Sequence, residues 1–106
     1  MNVTRIAGAL GAELAGIDLR EQPSRALVED VRGALHEHGV VFLRDQPLSP
    51  AQFLAFARAV GEPVEYPFVK GIDGFPEIIE VEKLEHERVN FGGIWHSDTT
   101  YLEQPP

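Results

Sequence analysis

The sequence predicts an α+β domain, and three observations lead to that class. Two segments place a capping serine before apolar residues at helical spacing, and short apolar runs bounded by turn residues precede, separate and follow them. Hydrophobic residues make up 43% and charged residues 25% of the 106 positions, which excludes collagen, coiled coil and low-complexity disorder. A chain of this length supports one domain.

The first predicted elements are a short strand and a helix. Residues 12–19 alternate partly between apolar and polar positions, with a bend at Gly16, and this pattern predicts a strand. Ser24 is the predicted N-cap of a helix over about residues 25–38, and Gly39 follows where a left-handed residue commonly ends a helix. The predicted apolar stripe of this helix consists of Leu27, Val31, Ala34 and Leu35.

A buried strand and a second helix are predicted next. The β-branched and aromatic run at residues 40–43 ends in a charged turn, which is typical of a buried strand. Ser49 as N-cap, Pro50 at the first helical position and Gln52 in a capping box predict a helix that ends at Gly61. Its predicted inner face consists of Phe53, Phe56, Ala57 and Val60.

The last third of the sequence predicts less regular structure. Residues 63–76 are rich in turn formers, and residues 77–81 predict a further strand. Residues 91–101 mix aromatic, glycine and threonine residues, a composition that predicts an irregular entry into a strand.

Charge and cysteine content exclude several classes of function. The 17 acidic and nine basic residues give a net charge of −8, so the domain repels phosphate backbones and nucleic acid is not an expected partner. The absence of cysteine excludes disulfide scaffolds, cysteine-based zinc sites and cysteine nucleophiles. No apolar run approaches the roughly 18 residues of a membrane span, and Glu13 interrupts the N-terminal apolar stretch, so we expect a cytoplasmic protein with no membrane partner.

His96 and Asp98 are the candidate metal ligands. In an extended strand, residues two apart point to the same face, so an imidazole nitrogen and a carboxylate oxygen would project together. These groups are two of the three ligands of a 2-His-1-carboxylate site, which suits Fe(II). A surface histidine sharing a hydrogen bond with an aspartate produces the same spacing, so the pair alone leaves both interpretations open.

Four blocks of sequence carry a resemblance to a known family. They cover residues 11–19, residues 39–46, the helix at residues 49–61 and residues 90–101. In this order they resemble the TauD/TfdA family of Fe(II)- and 2-oxoglutarate-dependent dioxygenases. The heptapeptide WHSDTTY at residues 95–101 is similar to the metal-binding segment of that family. The resemblance extends over nearly the whole chain.

The resemblance implies a fold and a reaction. The fold is a mainly β core in the form of a double-stranded β-helix (jelly roll) with outer N-terminal helices, incomplete in this chain. The reaction couples oxidation of 2-oxoglutarate by O2, with release of succinate and CO2, to hydroxylation of a small organic substrate. His96 and Asp98 correspond to the first two Fe(II) ligands, and no catalytic residue beyond the metal ligands is implied.

The resemblance also implies residues outside this chain. In the family, a third histidine ligand and an arginine that binds 2-oxoglutarate lie far downstream of the aspartate. We therefore expect residues 1–106 to be the N-terminal part of a single TauD/TfdA-like domain, inactive by itself.

Three residues are implied as substrate contacts by their positions in the family: Tyr66, Gly92 and Thr99. Taurine dioxygenase has a histidine, a tyrosine and an asparagine where this chain has Tyr66, Val69 and Gly92. Losing those polar contacts disfavours a sulfonate such as taurine as the substrate. A purely structural interpretation, in which Tyr66 packs in a loop and Gly92 forms a bend, stays open.

A second hypothesis is a non-catalytic chain of the same fold, either truncated or an assembly subunit. Retention of both His96 and Asp98 favours the enzyme. The sequence leaves the substrate and the oligomeric state undetermined, and a homo-oligomer is compatible with it.

Overall fold

The helices and strands lie in the first of two units of the chain. The computed structural model describes residues 1–105, with one unit over Met1–Glu62 and another from Pro63 onward. The elements in chain order are β1 (Asn2–Arg5), β2 (Ala12–Ala15), α1 (Arg25–His38), β3 (Val41–Phe42) and α2 (Pro50–Val60). One sheet with two helices fits the predicted α+β class. Neither helix of the described residues has the length and apolar character that a membrane span requires.

The sheet has the order β1-β2-β3. Strands β1 and β2 pair antiparallel, with Asn2 opposite Ala15, whereas β2 and β3 pair parallel, with Ala12 opposite Val41. Strand β1 was not predicted. Strand β2 ends at Ala15, earlier than predicted, because Gly16 has a φ of 75° and turns the chain out of the sheet.

Both helices have the predicted bounds and caps. The Ser24 hydroxyl accepts a hydrogen bond from the Leu27 amide, and Gly39 ends α1 with a φ of 73°. Ser49 and Gln52 form the predicted capping box at the start of α2. These contacts lie within the first turn of each helix, so a short stretch of sequence contains all the residues that form them.

The buried face of each helix differs from the predicted one. In α1, Val28 is buried and Leu35 is exposed, and in α2, Leu54 is buried while Phe53 is 52% exposed. The core of this unit consists of Leu14, Val31 and Ala34, with the partly buried Ile17, Leu27, Val41, Leu43 and Phe56 packed against them. A core of this size leaves part of each apolar stripe uncovered.

Of three further strand predictions for the described residues, the first is confirmed in part and the other two are wrong. The run at residues 40–43 forms only the two-residue β3, in which Phe42 is 40% exposed. Residues 77–81 form no strand, because the backbone of Ile78 is used by a turn: its amide donates to Phe75 and its carbonyl accepts from Ile72. Residues 91–101 form turns instead of an extended segment.

Candidate metal centre

Two turns enclose the candidate ligands in the second unit. The Gly93 amide donates to the Asn90 carbonyl oxygen at 3.1 Å, and the Leu102 amide donates to the Thr99 carbonyl oxygen at 3.0 Å. Gly92 and Thr99 have positive φ values of 69° and 41°, which an extended strand does not contain. The predicted strand is therefore replaced by a looped segment that carries His96 and Asp98.

His96 and Asp98 nevertheless meet. The Nε2 atom of His96 lies 3.0 Å from Oδ1 of Asp98. Their side chains are 48% and 89% exposed, so both donor atoms are accessible from solvent. The pair meets in a segment with a bend at residues 98–99, without strand alternation.

The other ring nitrogen of His96 is bound to the backbone. Nδ1 lies 2.6 Å from the carbonyl oxygen of Ile94. A carbonyl oxygen has no proton to give, so Nδ1 donates and Nε2 faces the carboxylate of Asp98. The contact with Ile94 raises the pKa of the His96 imidazole above its ordinary value, and the negative charge of Asp98 raises it further. At 3.0 Å, Nε2 and Oδ1 are close enough to share a proton when the ring is protonated.

The donor pair fits a divalent metal ion. Two ligand atoms at adjacent positions of an octahedron, each about 2.1 Å from the metal, are about 3 Å apart. The separation of 3.0 Å between Nε2 and Oδ1 matches that value. Over residues 1–105, no group of three or more His, Cys, Asp or Glu side chains is placed to hold a metal ion. The pair supplies two donors, and a facial triad needs one more.

The three predicted substrate residues lie in different surroundings. Gly92 is next to His96, since a Cβ built on Gly92 would be 3.5 Å from Cε1 of the His96 ring. Thr99 directly follows Asp98 in the sequence. Its hydroxyl oxygen is buried and has no hydrogen-bond partner in the described part of the chain. Tyr66 packs edge-on against Phe68, with ring centroids 5.7 Å apart, and Phe68 is 6.1 Å from the ring of Tyr101. Gly92 and Thr99 are thus near the ligand pair, and Tyr66 belongs to a group of aromatic rings.

Trp95 corrects another expectation. We expect this ring, beside the ligands in sequence, to pack against them, but it is fully exposed at 103%. The contact between His96 and the Ile94 carbonyl was not predicted, because every residue has a carbonyl group. The paired glycines at 92 and 93 are the signal of a turn that could have pointed to it.

Comparison with known proteins decides the family. The chain matches the family described as taurine catabolism dioxygenase TauD, TfdA family, over residues 2–106. The chain belongs to the TauD/TfdA family. The resemblance drawn from four sequence blocks is thereby confirmed.

Two curated relatives that match the whole chain illustrate the similarity. An alpha-ketoglutarate-dependent sulfate ester dioxygenase of Pseudomonas putida is 35% identical over 107 residues, which are 100% of this chain and 35% of the relative. An alkylsulfatase of Acinetobacter baylyi is 33% identical over 107 residues, 100% of this chain and 33% of the relative. The chain therefore spans about a third of the length of these two relatives.

A solved structure of the family shows the same arrangement. A taurine dioxygenase from Burkholderia xenovorans superposes with a TM-score of 0.66 at 36% identity, over 71% of this chain and 27% of that one. The sheet and the two helices thus belong to the fold of TauD-type dioxygenases.

Proposed function

We propose that the protein is an Fe(II)- and 2-oxoglutarate-dependent dioxygenase that hydroxylates a small organic substrate. The observation that carries the proposal is the approach of His96 Nε2 to Asp98 Oδ1 at 3.0 Å in a chain of the TauD/TfdA family. The name of the Pseudomonas putida relative includes alpha-ketoglutarate, which is 2-oxoglutarate, and this supports the same co-substrate here. We also propose the jelly roll for the complete domain, with α1 and α2 outside it.

The roles of the residues follow from their chemistry. His96 Nε2 and Asp98 Oδ1 would hold the iron, and the Ile94 carbonyl keeps Nδ1 of His96 occupied so that Nε2 is the ligand atom. When bound, Fe(II) supplies activation of O2 for oxidation of 2-oxoglutarate and of the substrate. With one histidine and one carboxylate supplied here, the complete protein needs a second histidine for a facial triad.

The proposed substrate class is a small organic anion, with alkyl sulfate esters first; their sulfate group would be held by contacts other than those of taurine dioxygenase, which this chain lacks at Tyr66, Val69 and Gly92. The Pseudomonas putida and Acinetobacter baylyi relatives are both named for sulfate ester chemistry. The buried hydroxyl of Thr99 has no hydrogen-bond partner in the described residues. It can donate a hydrogen bond to an oxygen of an anionic substrate. Tyr66 would supply a second polar contact, and Gly92 would leave space beside His96.

The proposed reaction balances for such an ester. One O2 and one 2-oxoglutarate are consumed; one oxygen atom enters succinate and the other becomes the new hydroxyl. Hydroxylation at the carbon that bears the sulfate ester forms an unstable product that breaks into an aldehyde and hydrogen sulfate. Succinate, CO2 and sulfate are therefore expected in equal amounts.

The test is turnover by the complete protein. Release of CO2 from 2-oxoglutarate is measured with Fe(II), O2 and a panel of short alkyl sulfates, carboxylates and taurine. We expect activity with an alkyl sulfate and its loss in His96→Ala and in Asp98→Ala. The matched controls are His86→Ala and Asp73→Asn, which change exposed residues of the same unit and leave activity intact.

Each other outcome has a definite meaning. Turnover retained in both ligand variants contradicts the roles of His96 and Asp98. Taurine as the best substrate shows that the interpretation of Tyr66, Gly92 and Thr99 is wrong. A complete protein that binds Fe(II) and 2-oxoglutarate yet releases no CO2 with any substrate supports the non-catalytic alternative.

A further inference from the structure

One backbone group binds the ring of His96, and a glycine lies beside the ring. The Ile94 carbonyl oxygen lies 2.6 Å from Nδ1. A Cβ built on Gly92 would be 3.5 Å from Cε1 and 4.0 Å from Nε2, so a side chain at position 92 would contact the ring on the edge between its two nitrogens.

The carbonyl and the glycine are placed by one turn. The Gly93 amide donates to the Asn90 carbonyl oxygen at 3.1 Å, which closes the turn, and Gly92 within it has a φ of 69°. A residue with a Cβ adopts that left-handed conformation at a cost, with asparagine the best tolerated after glycine. The turn sets the direction in which the chain enters Ile94, and hence where its carbonyl meets His96.

The held ring has one consequence for the site. An exposed imidazole rotates among rotamers, and each metal-binding event must then select one of them. With Nδ1 bound to Ile94, Nε2 stays directed at Asp98 at 3.0 Å. Backbone contacts of this kind orient histidine ligands in metal sites.

We propose that Gly92 is a positioning residue for His96: its left-handed turn carries the Ile94 carbonyl to Nδ1 and so presents Nε2 beside Asp98. This role goes beyond the space that Gly92 leaves in a substrate pocket. It rests on the proposed function only in naming His96 as a metal ligand.

The test compares variants at Gly92 that separate conformation from size. Gly92→Ala places a small side chain at a disfavoured φ, whereas Gly92→Asn places a larger one that tolerates this φ. The added Cβ would make only ordinary contact with the ring at 3.5 Å, so conformation decides the effect. We expect Mn²⁺ affinity of the complete protein to fall about 10–100-fold in Gly92→Ala and less in Gly92→Asn.

The matched control is Gly16→Ala. Gly16 has a similar φ of 75° at the end of β2, and nothing lies within 4 Å of a Cβ built there. It carries a similar conformational strain in the first unit, so Mn²⁺ affinity is expected to remain unchanged. A second readout is the ¹⁵N NMR signature of the His96 ring in the metal-free protein, in which a hydrogen-bonded Nδ1–H is expected in the parent and is weakened in Gly92→Ala.

The outcomes separate this inference from the proposed function. Equal affinities of Gly92→Ala and the parent protein, or a Gly92→Asn variant weaker than Gly92→Ala, overturn the positioning role while the dioxygenase assignment stands. The second of these results identifies Gly92 as a wall whose size matters. A parent protein that shows the Nδ1–H signature but has no turnover contradicts the proposed function and leaves the contact with Ile94 established.

Discussion

The Nε2 atom of His96 lies 3.0 Å from Oδ1 of Asp98, although neither residue belongs to a strand. The irregular segment with its bend at residues 98–99 brings together two side chains that strand geometry was expected to align. A histidine and an aspartate two residues apart can therefore meet in more than one backbone conformation. For this reason the His-x-Asp motif predicts the contact between the side chains better than it predicts a strand.

Removing one donor of this pair is expected to weaken metal binding. His96→Ala removes a ligand atom, and Asp98→Asn keeps the size of the side chain while removing its charge. Each is expected to lower Mn²⁺ affinity of the complete protein by more than about 100-fold, because loss of a contact that merely supports a ligand already costs about 10–100-fold. Electron paramagnetic resonance of free Mn²⁺ measures the affinity. His86→Ala, at an exposed position, is the control, and parental affinity in either ligand variant would exclude the pair as a site.

Gln46 is expected to stabilise the first unit through three hydrogen bonds. Its Oε1 accepts from the amide of the buried Leu19 at 2.9 Å, and its Nε2 donates to the carbonyls of Ile17 and Arg44, each at 3.0 Å. Gln46→Ala leaves the Leu19 amide without this partner, and the free energy of unfolding is expected to fall by about 1–3 kcal/mol. Urea denaturation measures it, with the exposed Gln22→Ala as control. Equal midpoints for Gln46→Ala and the parent would show that these bonds contribute nothing.

The capping box of α2 is expected to contribute a smaller amount. The Ser49 hydroxyl accepts from the Gln52 amide at 3.3 Å, and the Gln52 side chain accepts from the Ser49 amide at 2.9 Å. Ser49→Ala is expected to lower the free energy of unfolding by about 1 kcal/mol, and Ser49→Asp to restore it because aspartate caps equally well. Thermal unfolding compares the three proteins. A Ser49→Asp variant no more stable than Ser49→Ala would contradict the capping role.

Gly71 is expected to hold the loop that follows it in the second unit. A Cβ at this position would overlap the Pro76 carbonyl oxygen, so Gly71→Ala must displace the backbone. The Ile72 amide donates to Ile78 at 2.8 Å across this loop. Hydrogen exchange at the Ile72 amide is expected to accelerate at least about tenfold in the variant, because the loop opens more often. Gly61→Ala, where nothing lies within 4 Å, is the control, and unchanged exchange in Gly71→Ala would contradict the close contact.

Acid titration is expected to reveal the Asp18–Arg20 pair. The side-chain hydrogen bonds of Arg20, its backbone amide and its charge lower the pKa of Asp18 from 3.8 to about 2. A lowered pKa means that the contribution to stability is complete above pH 3.8 and is lost as the pH falls through about 2. NMR titration of the Asp18 carboxyl carbon is expected to give the low midpoint, and Arg20→Gln to move it towards 3.8. Arg25→Gln, which changes the separate pair with Glu29, should leave it in place.

Local chemistry accounts for what could be predicted about the fold. The bounds of α1 and α2 follow from Ser24, Ser49 and Gln52, whose side chains bond to amides within three residues. The short strands could not be predicted with the same success, because a strand exists only where another segment pairs with it. Residues 77–81 have strand-like composition, yet the backbone of Ile78 bonds within a turn.

The sequence by itself determined the two helices, the family and the pair His96–Asp98, because the residues of a helix cap and of the His-x-Asp motif lie close together in the sequence. Only the tertiary structure decided which residues are covered: Leu54 in place of Phe53, and a fully exposed Trp95. The tertiary structure also decided how the ring of His96 is held, since the carbonyl of Ile94 and the left-handed turn at Gly92 are backbone features. Burial and backbone direction depend on contacts between distant or non-periodic positions, and no single residue type encodes them.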